Sequence, residues 1–218
     1  LLLNIRVAGA IEEPGAVDST IDPKSIAQTN WIYYAQEPLI DLRLARKAFE
    51  NGDFESAAYA LRQVNAYLTL ESLRLDEGER RLNQIIKNID RLAAQLEGGD
   101  PISNEDYDKV LTEVNYTLSN HYHTQATKSW ENDKPKRTGY ALQASANYLE
   151  RAEKISDYSF TDETKETIKE SRELSKELIN GNVKSQNEEV KPKIKALGVL
   201  LKDFKVKSDE EFRVERRF

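Results

Sequence analysis

The chain predicts an all-α protein, an antiparallel helical bundle of about seven helices built from a duplicated three-helix unit. Three observations carry that expectation. Apolar residues recur at helical spacing along most of the chain, as in Leu82, Ile85, Ile86, Ile89, Leu92, Ala93 and Leu96. Stop and start signals separate these stripes: Gly52-Asp53, Gly98-Gly99 and Asn180-Gly181. A helix–turn–helix pattern also occurs twice. Ala45-x-Lys47-x-Phe49-Glu50-Asn51 returns as Ala126-x-Lys128-x-Trp130-Glu131-Asn132, Tyr59-Ala60-Leu61 as Tyr140-Ala141-Leu142, and Tyr67-Leu68 as Tyr148-Leu149. Every pair is 81 positions apart (126 minus 45, 140 minus 59, 148 minus 67).

Residues 1–21 read as an N-terminal arm and 22–205 as the bundle. The first repeat covers 22–99, the second 103–181, a closing helix 185–205 and a C-terminal tail 206–218. Leu1 to Val7 reads as a short strand or an extended arm, with Phe212 and Val214 as a possible pairing segment. Helix A opens at Asp22-Pro23, a cap followed by Pro in the first helical position, and runs to Asn51. Pro38 lies inside it and should kink it, because it removes a backbone donor and crowds the preceding turn. Trp31, Ala35, Leu39, Leu42, Ala45 and Phe49 share one side.

Helix B follows with Phe54, Ala57, Ala58, Leu61, Val64, Tyr67 and Leu68 inward. Asp76 to Glu79 forms a capping box for helix C, whose aliphatic stripe makes it the expected centre of stability. In the second round, Ser103 caps helix A′, with Tyr107, Val110, Leu111, Val114 and Leu118 inward. Pro135 opens helix B′, and helix C′ runs from Asp162 to Ile179. With Leu96 matched to Leu178, Thr167, Ser171 and Ser175 replace Ile85, Ile89 and Ala93, so C′ is expected to be peripheral and mobile. The closing helix, expected to start at the box Ser185 to Glu188, shows the seam Val190, Ile194, Leu197, Leu201 and Phe204, with Pro192 near its start.

Composition narrows the functional classes. The chain has 218 residues, 39% hydrophobic and 32% charged, with a net charge of −6. No apolar run approaches the roughly 20 residues of a membrane-spanning helix, so no integral membrane span is expected. The acidic balance, with Lys and Arg scattered among Asp and Glu as on a solvated helix surface, argues against nucleic acid as a partner. Cysteine is absent, which removes disulfides, thiolate metal sites and cysteine catalysis. Leu at position 1 and the lack of Met do not read as a native start, which leaves open whether a signal peptide or lipoprotein leader has been removed.

Gly52-Asp53-Phe54-Glu55-x-Ala57 resembles the turn of a tetratricopeptide hairpin, although those repeats recur at about 34 residues. Through Asp41, Ala45, Arg46, Ala48, Gly52, Asp53, Glu55 and Ala57 the same stretch also resembles the YfdX family of bacterial helical proteins. That resemblance implies an exported, all-helical protein, periplasmic or lipoprotein-anchored, without an established enzymatic activity.

Two groups of residues are candidate sites. Tyr59, Tyr67, Tyr140 and Tyr148 recur at matched positions, with Trp130 nearby, and could line an aromatic pocket between the repeats, giving stacking and hydroxyl contacts to a small ligand. Ordinary helix packing, with the phenol oxygens reaching water, is the favoured explanation of them. His121 and His123 are the weak metal candidates. Residues two apart on a helix point about 200° from each other, so one ion cannot take both. His123 matches Leu42 of the first copy, which favours a histidine at the core edge with a hydrogen-bond partner. No Gly-x-Ser-x-Gly elbow or Gly-rich phosphate loop occurs, and carboxylate pairs such as Glu12-Glu13 and Glu188-Glu189 fall at segment ends.

The expectation is therefore a non-enzymatic protein without a cofactor, acting through protein–protein or self-association surfaces. A weakened helix C′ would expose an edge of B′ as the docking face unless the last helix covers it. The alternative is a small-molecule or metal-binding sensor using the aromatic cluster or the histidines.

Overall fold

The computed structural model describes residues 38–72, 80–156, 158–183 and 188–214. These form an all-α bundle without a strand among the described residues. Its helices are α1 (38–50), α2 (Phe54–Ser72), α3 (Arg80–Gly98), α4 (Asn104–Glu131), α5 (Pro135–Ile155), α6 (Asp162–Asn180) and α7 (Val190–Val214). None of the described helices is long and apolar enough to cross a membrane.

The α4–α5 hairpin runs through the middle and serves two cores. One joins it to α1, α2 and α3 through Leu42, Phe49, Leu61, Leu68, Ile85 and Ile89, packed with Tyr107, Leu111 and Tyr148. The other joins it to α6 and α7 through Leu142, Leu149, Ile168, Leu178, Leu197 and Phe204. At the crossing of α4 and α5, Ser119 and Ser145 exchange hydroxyl-to-carbonyl bonds of 2.6 and 2.8 Å. Their small side chains let the backbones come close while every hydroxyl proton stays bonded.

The ends follow from local chemistry. Ser103 caps α4 by accepting from the Asp106 N–H at 3.0 Å, and Thr161 caps α6 by accepting from Thr164. Asp53 does the same for α2 through Ser56. The α1–α2 and α4–α5 turns close identically. The N–H groups of Gly52 and Asp53 bond the carbonyls of Phe49 and Ala48, and those of Asp133 and Lys134 bond Trp130 and Ser129. The residue in the left-handed region is Gly52 (φ 73°) in one turn and Asp133 (φ 55°) in the other. The same closure ends α3 at Gly99 and α6 at Gly181, so it is a general stop and does not by itself establish a duplicated unit.

Several expectations change. The closing helix begins at Val190 rather than Ser185, leaving Pro192 in its first turn, where a missing N–H breaks no helical bond. It also continues to Val214, so Phe212 and Val214, expected to pair with the N-terminus from a tail, are helical. Phe54 is 46% exposed instead of inward, because it starts α2 beyond the turn, with its ring tilted against Phe49 at 5.7 Å. Helix C′ (α6) is not loosely attached: Ser171 and Ser175 are buried, and α6 comes so close to α5 that a methyl on Gly139 would stand 2.7 Å from the Ser175 carbonyl oxygen. The caps at Asp22 and Asp76, the kink dependent on residues before Pro38, and the arm 1–21 lie outside the described residues.

Candidate functional site

The structure distributes the five aromatic candidates instead of gathering them. Tyr67 and Tyr148 come together around Tyr122: the Tyr67 and Tyr122 hydroxyls are 2.7 Å apart, and the Tyr122 and Tyr148 rings stack at 5.6 Å. The Tyr148 hydroxyl also meets the Leu39 backbone at the start of α1. Tyr59 is 67% exposed on α2, Trp130 packs against the second core, and Tyr140 is half-buried near the start of α5. Burial pushes the Tyr122 and Tyr148 phenols well above the ordinary tyrosine value, with neighbouring phenols adding to the effect. These groups hold their protons and tie α2, α4 and α5 together.

The two histidines leave α4 in different directions. His121 is buried and its Nε2 lies 3.3 Å from Glu71 Oε1 on α2. His123 donates from Nε2 to the Ile194 carbonyl of α7 at 2.8 Å, since a carbonyl can only accept. Burial lowers its pKa, with Lys202 acting in the same direction against the hydrogen bond to Ile194. The imidazole sits over Gly198, where a Cβ would meet the ring at 2.7 Å, so α7 supplies a glycine to make room for it. Among the described residues, no three His, Cys, Asp or Glu side chains gather to hold a metal ion.

The face of B′ expected to dock a partner is covered by α6, which packs closely against α5 at Gly139, while α7 lies mainly against α4 and α6. Val190, Ile194, Leu197, Leu201 and Phe204 are all buried in the second core, and α7 runs antiparallel to α4, with Phe204 against Tyr116 and Ile194 at His123.

Helix α1 carries two faces that sequence reasoning read only as scattered charge. On one, Arg43, Arg46, Lys47 and Glu50 join Asn115 of α4 and Arg151 of α5 around a cleft of about 210 Å³, floored by Leu39, Leu42 and Ile155. Arg46 is held in place: Nη2 lies 3.1 Å from Asp108 Oδ2, and Nε lies 3.0 Å from Glu50 Oε1 without hydrogen-bond alignment. Arg43, Lys47 and Arg151 make no ion pair among the described residues. Asn115 is buried, and its Nδ2 donates to the Leu111 carbonyl at 2.7 Å while its Oδ1 has no donor. The signals were present in sequence: basic residues three and four apart on α1, and an Asn beside the apolar stripe of α4. On the adjoining face, beside Lys47, Ile40 and Leu44 are 47% and 49% exposed.

No protein-family model, curated protein or solved structure matches the chain.

Proposed function

We propose that this is a non-enzymatic helical protein that works by association, and that its association surface lies on α1 and α2. One observation carries the reading. Among the described residues, Ile40, Leu44, Phe54, Tyr59 and Leu70 on these two helices are exposed large apolar side chains, against Val199 alone elsewhere. A second copy of the chain is the occupant we assign. A two-fold contact sets a surface against itself, so it must carry charges of both signs around its apolar residues. Exposed Arg43 and Lys47 beside Glu50 and Glu55 meet that condition. The non-enzymatic reading is supported by the chemistry of the buried polar groups: the Tyr122 and Tyr148 phenols retain their protons, and His123 is held neutral and bonded to backbone.

Descent of both halves from one three-helix unit belongs to this proposal, supported by the 81-residue register and the matching turns. So does export as a periplasmic or lipoprotein-anchored member of a YfdX-like group, supported by the first hairpin. Sedimentation of the full chain between 1 and about 100 µM tests the association. The expected result is a concentration-dependent dimer that Leu44→Glu and Tyr59→Glu each weaken at least tenfold. A monomer at every concentration, or a dimer indifferent to both substitutions, would overturn it.

A further inference from the structure

We propose that the cleft between α1, α4 and α5 binds a small organic anion that also carries a hydroxyl, such as a hydroxycarboxylate or a hydroxylated phosphate monoester. The inference does not rest on the association surface: Arg43 and Lys47 border both, but none of the exposed apolar residues of α1 and α2 lines the cleft.

Charge comes first. In a chain of net charge −6, the cleft gathers Arg43, Arg46, Lys47 and Arg151 against one carboxylate, Glu50. Arg46 is already matched by Glu50 and Asp108, and the other three cations lining the cleft make no ion pair among the described residues. Like charges this close repel, and an anion seated among them removes the repulsion and gains charge-assisted hydrogen bonds. Arg43 of α1 and Arg151 of α5 line the cleft from two helices, and guanidinium forks match the oxygens of a carboxylate or phosphate.

The hydroxyl requirement comes from Asn115. Its amide orientation is fixed, because turning it over would set Oδ1 against the Leu111 carbonyl oxygen at 2.7 Å. Oδ1 is therefore an acceptor, buried and without a donor, in a side chain that lines the cleft. Leaving such a group unsatisfied costs about 1–3 kcal/mol. A water molecule can supply the missing proton but not the negative charge, whereas a hydroxylated anion supplies both. Size sets the limit: at about 210 Å³ the cleft is smaller than the roughly 300–1,000 Å³ of drug-sized sites, so the ligand has few heavy atoms. The Leu42 and Ile155 side chains at its floor suit a short carbon backbone.

Calorimetry on the full chain with two matched probe pairs tests this: malate against succinate, and glycerol 3-phosphate against propyl phosphate. Members of each pair share charge and differ by the presence of hydroxyl groups. The expected result is saturable binding of one hydroxylated probe, at least tenfold tighter than its hydroxyl-free partner and weakening as salt is raised. Arg151→Gln, at a half-buried position, should weaken that binding at least tenfold with little change in melting temperature. Asn115→Leu should erase the preference for the hydroxyl while retaining the salt dependence. If Asn115→Leu does not fold, the Arg151→Gln result and the probe pairs still decide the matter. Absence of binding by all four probes at 10 mM, equal binding within both pairs, or binding unaffected by Arg151→Gln would each overturn the proposal. Repeating the titration with Tyr59→Glu separates it from self-association, since that substitution lies on α2 outside the cleft and should leave anion binding unchanged.

Discussion

The α2–α3 and α5–α6 hairpins stand at corresponding places along the chain and are held together differently. In α3, Ile85, Ile89 and Ala93 are fully buried and fill the first core with aliphatic volume. The aligned residues of α6, Thr167, Ser171 and Ser175, contribute little volume, and the two helices close the gap by moving together at Gly139. The hydroxyls of Ser171 and Ser175 bond back to the Thr167 and Arg172 carbonyls, so burying them leaves no proton unmatched. Even the ion pairs run in opposite senses. In the first hairpin Arg62 of α2 reaches Asp90 and Glu97 of α3, while in the second Arg172 of α6 reaches Asn147 and Glu150 of α5. Asp90 and Arg172 are themselves matched positions in the Leu96–Leu178 register, so the same place has changed sign and its partner has changed with it. Loss of an apolar stripe is thus no measure of loose packing when a glycine on the facing helix allows backbone contact.

This contrast can be broken from either side. The largest effect is expected in the aliphatic hairpin. Ile89→Ala should cost roughly 2–5 kcal/mol in urea unfolding, through lost transfer energy and a residual cavity. Ser171→Ala, at the matched place in α6, should change stability by no more than about 1 kcal/mol. Equal costs at the two sites would mean that the hairpins are held alike.

The close-approach hairpin is tested at Gly139. Gly139→Ala improves helix propensity yet places a methyl against the Ser175 carbonyl, Ile179 and Leu178, and a net loss of about 1–3 kcal/mol is expected by thermal or urea unfolding. At the matched place in α2, Ala58 already carries that methyl and is buried without difficulty. A neutral or stabilising Gly139→Ala would show that α5 and α6 do not depend on backbone proximity.

The smallest effect sharpens the comparison of turns. Asp133 holds the left-handed conformation that Gly52 adopts freely in the first hairpin. Asp133→Gly should therefore stabilise the protein by about 0.5–1 kcal/mol, whereas Gly52→Ala should destabilise it. A loss of stability in Asp133→Gly would show that the Asp side chain contributes more than its backbone strain costs.

How much was legible follows from the range of the interactions involved. The stripes of α3 and α7, the stops at Gly52, Gly99 and Gly181, and the Ser103 cap could be read because each depends on residues within a turn or two of one another. The placement of His123 at a core edge with a hydrogen-bond partner was readable from its register with Leu42. The aromatic candidates were harder. Register on helix B already set Tyr67 inward and left Tyr59 out, but that Tyr67 meets the phenols of Tyr122 and Tyr148 depends on the docking of α4 and α5. The cleft was out of reach for the same reason: Arg43 and Lys47 look like any solvated pair until Arg151, more than a hundred positions away, is set beside them.

By itself, then, the sequence determined that the chain is helical, where most of its helices stop, and which residues in most helices turn inward. Periodicity and capping are local, and the local free energy decides them. Only the tertiary structure decided that α7 lies against α4 and α6, that Gly139 lets α6 settle against α5, and that cations without an ion pair among the described residues line the same cleft as the unsatisfied Asn115. Those outcomes depend on which faces meet across long sequence separations, where backbone clearance and burial set the energy and no local pattern records them.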